Sequence, residues 1–442
     1  MSTETAEIKD LSSQPYLLSP STGGISGTGD ITSGSSATSI LGGPRLGGRG
    51  GARSGHKLKF RLFQRDRGRG SSDSSRTTSS RSSSAPAFGG SPLINEDELL
   101  RVFPDRKLRI FIASWNQNSS MGPKDLSELL LTPTEEKSDI YVIGVQEGVA
   151  DKREWEIRLQ QALLPSHVLF HACHLGVLHL SIFVQRDLIW YCGTPRDTLQ
   201  ATRAGTALKT KGAICSAFNF FGTSLLFVNA HLTAHENKQH NRIADYEKIM
   251  RALFPHKNVA SSKVAPATAS KYDTIFWFGD LNFRLDTNSE TVVNILAERD
   301  YKALLKFDQL KKVIADGKAF SGFHEGVIGF APTFKYEVNS NVYDKNTVRV
   351  PSYTDRILYR GREGQDVTVR LYDCVQCLVS SDHKPVVAIV EVGLRASSER
   401  PGKLAAGAFR REVFIEALKR ATPVRRRFSH DLSKPSAVCC LQ

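Results

Sequence analysis

Short apolar runs that break off sharply into polar residues fill the stretch from about residue 105 to 393. Leu108–Trp115 alternates and then turns wholly apolar, the pattern of a strand that goes from half-buried to buried on both faces, and it stops at Asn116. Ile140–Val145 is a second such run, ending at Gln146-Glu147. Val168–Gln185 is apolar with a hairpin turn expected at His174–Gly176. Ala213–Phe220 and Leu225–His231 flank Phe221-Gly222-Thr223-Ser224, which reads as another hairpin. Thr274–Gly279 is a buried strand leading into Asp280-Leu281-Asn282, and Tyr353–Arg360, Val367–Leu378 and Val386–Val392 supply the last strands. Helical spacing marks 125–131, Trp155–Leu164, Glu236–Phe254 and a stretch over 289–316 that breaks near Arg299-Asp300. Strands outnumber helices, many are hairpin-spaced, and a regular βαβ repeat is missing. The pattern predicts an α/β fold in which two mainly antiparallel sheets pack face to face with helices outside, a four-layer α/β/β/α sandwich.

Composition divides the chain. Residues 1–95 are rich in Ser, Gly, Thr and Arg with few large apolar residues, so a disordered tail is expected there. A folded domain is expected over 96–394, and a C-terminal helix with a basic tail over 395–442. Of the formal +14, about +6 falls in the first segment, about +7 in the last and about +1 between them. A near-neutral body argues against a face that tracks nucleic acid. Two basic tails suit an anionic surface such as the cytoplasmic leaflet, or merely solvate the ends. With no run of transmembrane length and no secretory signal at the start, a cytosolic protein is expected. Among the seven cysteines, Cys173, Cys192 and Cys215 read as core thiols. Cys374-x-x-Cys377 lacks the second pair a zinc site needs.

The chemistry lies where the strands end. Asn116, Gln146-Glu147, Asn229-Ala230-His231 and Gly279-Asp280-Leu281-Asn282 each close a run. Pro351–Arg356 and Ser381-Asp382-His383-Lys384-Pro385 each precede one. A single Gly-Asp-x-Asn is equally well an Asx turn. The recurrence is what argues for one shared rim. Glu147 and the Asn116 carbonyl are hard oxygen ligands suited to Mg2+, which keeps several waters. His383 held by a carboxylate can stay cationic and bind a phosphate oxygen. Asp280 can take a proton from water, and Asn282 can donate to a substrate oxygen. No serine elbow, Cys-x5-Arg or Gly-rich phosphate loop competes, so metal-assisted hydrolysis of a phosphate ester by water is the economical reading.

Two longer motifs sharpen this. Trp277-Phe278-Gly279-Asp280-Leu281-Asn282-Phe283-Arg284 and Pro351-Ser352-Tyr353-Thr354-Asp355-Arg356-Ile357-Leu358 resemble the two signatures of the inositol polyphosphate 5-phosphatases, of the deoxyribonuclease-I-like endonuclease/exonuclease/phosphatase superfamily. Ser114-Trp115-Asn116, Gln146-Glu147, Lys211-Gly212-Ala213 and Ser381–Val386 are similar to its other blocks, in order. The resemblance spans about 105–393. It implies Mg2+ on Asn116 and Glu147 with Asp382 supporting the metal side, Asp280 as general base, and Asn282 positioning water and phosphate. His383, oriented by Asp355, and His231 would contact the phosphate. Arg356, Lys335 and Tyr336 would face the inositol ring, with Arg349 and Lys211 as further cations. The chain departs from the usual pattern at Thr347, where many members carry Lys, at Lys209-Thr210-Lys211-Gly212, and at Tyr353-Thr354 in place of Trp-Cys. The last two, with Gly144–Gly148, Arg153–Glu156 and Leu404–Gly407 followed by Phe409, look like the type IV, lipid-directed branch. Phosphatidylinositol 3,4,5-trisphosphate and 4,5-bisphosphate are then the expected substrates. Soluble inositol 1,4,5-trisphosphate, a nuclease of the same superfamily, and a silent membrane scaffold are the alternatives.

Cys439-Cys440-Leu441-Gln442 has the form of a C-a-a-X box, with Gln favouring a farnesyl group on Cys439. Arg425-Arg426-Arg427 would supply the second signal that a single lipid needs. Prenylation and the branch resemblance imply a prenyl-binding chaperone, residence on the cytoplasmic face of membranes, and delivery to cilium or Golgi.

Overall fold

The computed structural model describes residues 94–131, 137–203, 211–253, 271–345, 349–397 and 404–421. Helix α1 (Glu96–Val102) starts at Asn95, whose side chain accepts the Glu98 N–H. It is followed by β1 (Lys107–Asn116), α2 (Ser127–Leu130), β2 (Ile140–Gln146) and α3 (Lys152–Ala162). The hairpin β3 (His167–Leu175) and β4 (Leu178–Gln185) comes next, then β5 (Arg196–Ala201) and the hairpin β6 (Gly212–Phe220) and β7 (Thr223–His231). Helix α4 (Gln239–Leu253) precedes β8 (Thr274–Asp280). The helices α5 (Ser289–Ala297), α6 (Tyr301–Leu304) and α7 (Gln309–Ala315) divide the predicted long helical stretch, and α6 opens with Asp300 as its cap. Short β9 (His324–Glu325), then β10 (Asp355–Gly361), β11 (Val367–Cys374), β12 (Val386–Gly393) and α8 (Arg411–Ala421) close the order.

The strands form two six-stranded sheets, β11-β12-β1-β2-β4-β3 and β5-β6-β7-β8-β10-β9. Each is antiparallel except for one central parallel pair, β1 with β2 and β7 with β8. Alternation sorts the side chains. Ile110, Ile112, Val142, Phe227, Phe276 and Phe278 meet between the sheets. Phe111, Ala113, Tyr141 and Ile143 face out beneath α2, α3 and α8, and Val228, Ile275, Trp277 and Leu358 face out beneath α4 and α7. The four-layer sandwich expected from the apolar pattern is therefore the fold.

Gly144 on β2 marks a close approach of the two sheets. A Cβ there would lie 2.4 Å from the Phe278 ring and 2.9 Å from the Asn229 side chain of the facing sheet. Two features were not expected. Edge strand β5 is mostly polar and gives no apolar signal. The C-terminal helix expected after Leu394 is tied to the body through the segment before it: Gly222 donates to the Arg395 carbonyl, Ala405 to Cys192, and Arg410 to Leu169. Val413 and Ala417 of α8 are buried in the layer with α3. Among the described residues no helix is long and apolar enough to cross a membrane.

Candidate functional site

The inter-sheet faces of the central strands converge at one end. Asn116, Gln146, His231 and Asp280 terminate β1, β2, β7 and β8, while Asp355 begins β10 opposite Asp280. His383 lies just before β12. Period-2 alternation puts the strand-end side chains on the inter-sheet face of their strands, the face of Ile112, Val142, Phe227, Phe276, Phe278 and Ile357. Gly279 lets β8 reach this point: its φ is +138°, and a Cβ would fall 1.9 Å from the Ala230 carbonyl oxygen of β7.

Asp280 is the hub. Its Oδ2 accepts from Asn116 Nδ2 at 3.0 Å and pairs with His231 Nε2 at 3.1 Å, while Oδ1 accepts the Asn282 N–H at 3.1 Å. Burial would raise its pKa, but the hydrogen bond and charge of His231, with the charges of His383 and Lys211, drive it far below the carboxylate range. Lys211 Nζ contacts His231 Nε2, and burial pulls its ammonium down to about 8 against the pull of Asp280 and Glu147. His231 is lowered by burial and by Lys211.

The second centre is His383, whose Nδ1 lies 2.8 Å from Asp355 Oδ2. That same oxygen accepts from Thr333 Oγ1 at 2.7 Å and Thr354 Oγ1 at 2.9 Å. Burial disfavours the imidazolium, yet Asp355, Asp280 and Asp382 outweigh it and push His383 up to about 9. Metal-binding atoms of Asp280, Asp355 and His383 all lie within 4.8 Å of one another.

Glu147 follows the last residue of β2 at φ +47°, with its side chain 29% exposed and Oε1 3.9 Å from His231 Nε2. Asn116 Oδ1 accepts the Asn118 N–H at 3.1 Å and keeps a second lone pair. Glu147, Asn116 and Asp280 offer oxygen donors beside an open edge. That set fits a hard divalent cation that retains water, Mg2+ in character, better than a thiophilic metal. Asp382 is half-buried in the turn before β12, its carbonyl accepting the Tyr336 N–H at 3.0 Å.

Other expected residues are placed differently. Arg356 does not face the site. It is fully buried on the outer side of β10, bridging Asp308 at 2.6 Å and Glu325 at 2.6 Å. Its neighbour Asp355 takes the inward face, so alternation sends Arg356 the other way. Tyr336 is buried too, stacked on Tyr343 with ring centroids 4.4 Å apart and its hydroxyl donating to the Tyr343 hydroxyl at 3.0 Å. Lys335 is part-exposed and pairs with Asp344 at 2.6 Å. Arg349 is exposed, its guanidinium 5.7 Å from the Phe334 ring centre. Asn282 is engaged at both ends of its amide, donating to the Leu232 carbonyl at 3.2 Å and accepting from Arg284 Nη2 at 2.6 Å. Thr347, Arg425–Arg427 and Cys439 lie outside the described residues.

Sequence reasoning passed over Arg284 as a site residue. It is buried, holds Asn282, and lies over the Phe334 ring at 4.7 Å, with that ring 4.3 Å from His383. Its position two residues after Asn282 was the available signal. Asn229, which takes a 2.7 Å hydrogen bond from Gln146 Nε2 across the sheets, was visible as a strand end. Thr333 carried no signal.

The family model described as Endonuclease/Exonuclease/phosphatase family 2 matches residues 113–389. The rat phosphatidylinositol polyphosphate 5-phosphatase type IV is 40% identical over 363 residues, covering 78% of this chain and 55% of that protein. The chain thus spans about half the length of that relative. The type IV inositol polyphosphate 5-phosphatase 11 of Arabidopsis thaliana is 32% identical over 291 residues, 64% of this chain and 81% of its own. Among solved structures, the inositol polyphosphate 5-phosphatase domain of SPSynaptojanin, in complex with inositol (1,4)-bisphosphate and calcium ion, superposes with TM-score 0.58 at 28% identity, covering 73% of this chain and 94% of that one. A Cimex nitrophorin shares the fold at TM-score 0.55 and 24% identity, covering 66% of this chain and 100% of its own.

Proposed function

The chain belongs to the inositol polyphosphate 5-phosphatases of the endonuclease/exonuclease/phosphatase family, and from that membership we propose that it hydrolyses the 5-phosphate of phosphoinositides at a membrane surface. The observation that carries the reading is the clustering of an anionic hub, Asp280, with a buried cation, His383 on Asp355, at one rim. A phosphate monoester needs both: a group that orients water and a charge that receives the phosphoryl oxygens.

Asn116 and Glu147 would hold Mg2+, with Asp382 supporting them, and the bound ion would neutralise phosphate charge and polarise the scissile group. His383, cationic up to about pH 9, donates its free Nε2–H to a phosphoryl oxygen. Asp280 stays ionised and accepts a hydrogen bond from the attacking water. Its depressed pKa makes it a weak base, which phosphoryl transfer tolerates because positioning and charge dominate the barrier. Asn282, locked by Arg284, keeps the Asp280 carboxylate in register through its own N–H. Lys211 adds positive charge beside His231. Lys335 and Arg349 are the cations open enough to meet a neighbouring ring phosphate. Phosphatidylinositol 3,4,5-trisphosphate and 4,5-bisphosphate as substrates, a farnesyl tether on Cys439, carriage by a prenyl-binding chaperone and a ciliary or Golgi address belong to the same proposal. They are supported by the likeness to type IV relatives and by the basic terminal segment.

The deciding experiment measures Mg2+-dependent phosphate release from vesicles of each lipid and from soluble inositol 1,4,5-trisphosphate. Release from lipid but little from the soluble compound is expected. Release only from the soluble compound would overturn the lipid assignment, and release from none would overturn the reaction. Cys439→Ser should move the protein from membranes to the soluble fraction.

A further inference from the structure

Away from the rim, the outermost strands of the two sheets bring together three side chains that the proposed reaction does not use. On β3, His171 and Cys173 stand two residues apart; on β5, Asp197 faces them. Strand β3 ends the first sheet and β5 ends the second, so the cluster spans the gap between two edges. His171 Nε2 lies 2.9 Å from Asp197 Oδ1 and 3.0 Å from Oδ2. One ligand atom from each of His171, Cys173 and Asp197 falls within 4.8 Å of the others. Cys173 is buried, while the His171 and Asp197 side chains are 19% and 30% exposed, so solvent reaches one side of the cluster.

We propose that His171, Cys173 and Asp197 form a site for a thiophilic divalent metal, zinc in character, that clips the edges of the two sheets together. The donor set is the argument. One thiolate, one imidazole and one carboxylate suit Zn2+ and exclude Mg2+, the reverse of the all-oxygen set at the rim. Tetrahedral zinc, about 2.0–2.1 Å from nitrogen or oxygen and about 2.3 Å from sulfur, holds its ligand atoms roughly 3.3–3.6 Å apart. The His171–Asp197 pair must open by a few tenths of an ångström and the sulfur must draw in. The fourth position points to the solvent-open side and takes water. Three protein ligands and one water leave the metal removable by chelators, unlike a closed structural site.

Binding replaces the Cys173 S–H proton, which leaves to solvent, and moves the His171 proton to Nδ1 so that the Nε2 lone pair faces the metal. Without metal, the His171 Nε2–H donates to the Asp197 carboxylate beside a protonated thiol. Burial and Asp197 hold that thiol up to about 12, so metal is what would ionise it.

Cobalt(II) is the probe that separates this site from the rim, because only a thiolate ligand gives the sulfur-to-cobalt charge-transfer absorption. The full chain titrated with Co2+ in the presence of excess Mg2+ should develop that band with one equivalent, and Zn2+ should bleach it. Cys173→Ala should abolish the band, and Asp197→Asn should weaken Co2+ binding about 10²-fold. Cys215→Ala, a buried cysteine on the opposite face of β6, controls for simple loss of a core thiol and should retain the band. Wild-type protein without the band, or a band that survives Cys173→Ala, overturns the site.

Discussion

Strand β8 is bracketed by two aspartates, Asp273 just before it and Asp280 at its end. Their side chains are almost equally buried, at 4% and 2% exposed. Asp273 accepts from the Ser224 N–H at 2.8 Å and the Ser224 hydroxyl at 2.9 Å, and it pairs with Arg395 and Arg362, whose side chains remain 45% and 41% exposed. Its partners close a turn and reach into water. Asp280 is surrounded instead by Asn116, His231 and the charges of Lys211 and His383, nearly all buried. His231 Nδ1 and Asp355 Oδ1 have no protein hydrogen-bond partner among the described residues. One end of the sandwich is complete as it stands. The other keeps charged groups in a low-dielectric setting with hydrogen-bonding capacity to spare, an arrangement expected to lower stability in exchange for binding a charged ligand.

Substitutions can test that contrast. Asp280→Ala should cut phosphate release by about 10³-fold, while thermal melting stays within a few degrees of the parent. A collapse of the fold would show that Asp280 is a structural partner like Asp273. Arg356→Ala removes the cation between Asp308 and Glu325 and should destabilise the domain by about 3–5 kcal/mol in chemical denaturation. A stable variant that lost only substrate affinity would return Arg356 to the ring-binding role the structure denies it. Asp355→Asn withdraws the charge that keeps His383 protonated. His383 has its pKa raised above 6.5, so its contribution is full below 6.5 and is lost as pH rises through about 9. In the variant only Asp280 and Asp382 oppose burial, and the alkaline fall in activity should move down from about 9, read from a pH–rate profile. The smallest effect belongs to Asp273→Ala, which should cost about 1–2 kcal/mol of stability and leave turnover unchanged.

The four layers were legible because apolar runs of strand length are hard to bury otherwise, and the rim because each run ended in a chemically active residue. What escaped was sidedness. Arg356 stood inside a signature motif, yet its place one residue after Asp355 sends it toward α7, where Leu358 of the same face is also buried. Tyr336 was read as a hydroxyl for the ring, but a stacking partner seven residues on takes it inward. Strand β5 was invisible because an edge strand needs no apolar alternation. The helix at the C-terminus is expected from the sequence, but its docking is hidden by charge: Arg411, Lys419 and Arg420 face solvent, while Val413 and Ala417 are the small part that is buried. Arg420 reaches back to Glu154 of α3 at 2.7 Å.

Gly144 holds the two sheets at contact distance where Phe278 and Asn229 cross the gap. Two of the pairs at the rim also straddle that gap: Asn116 belongs to one sheet and Asp280 to the other, and His383 precedes a strand of the first while Asp355 opens a strand of the second. The two halves behave like the jaws of a calliper, each carrying one member of both pairs, with the glycine as the stop that sets the opening. A methyl group at that stop would leave both jaws intact and their readings out of step.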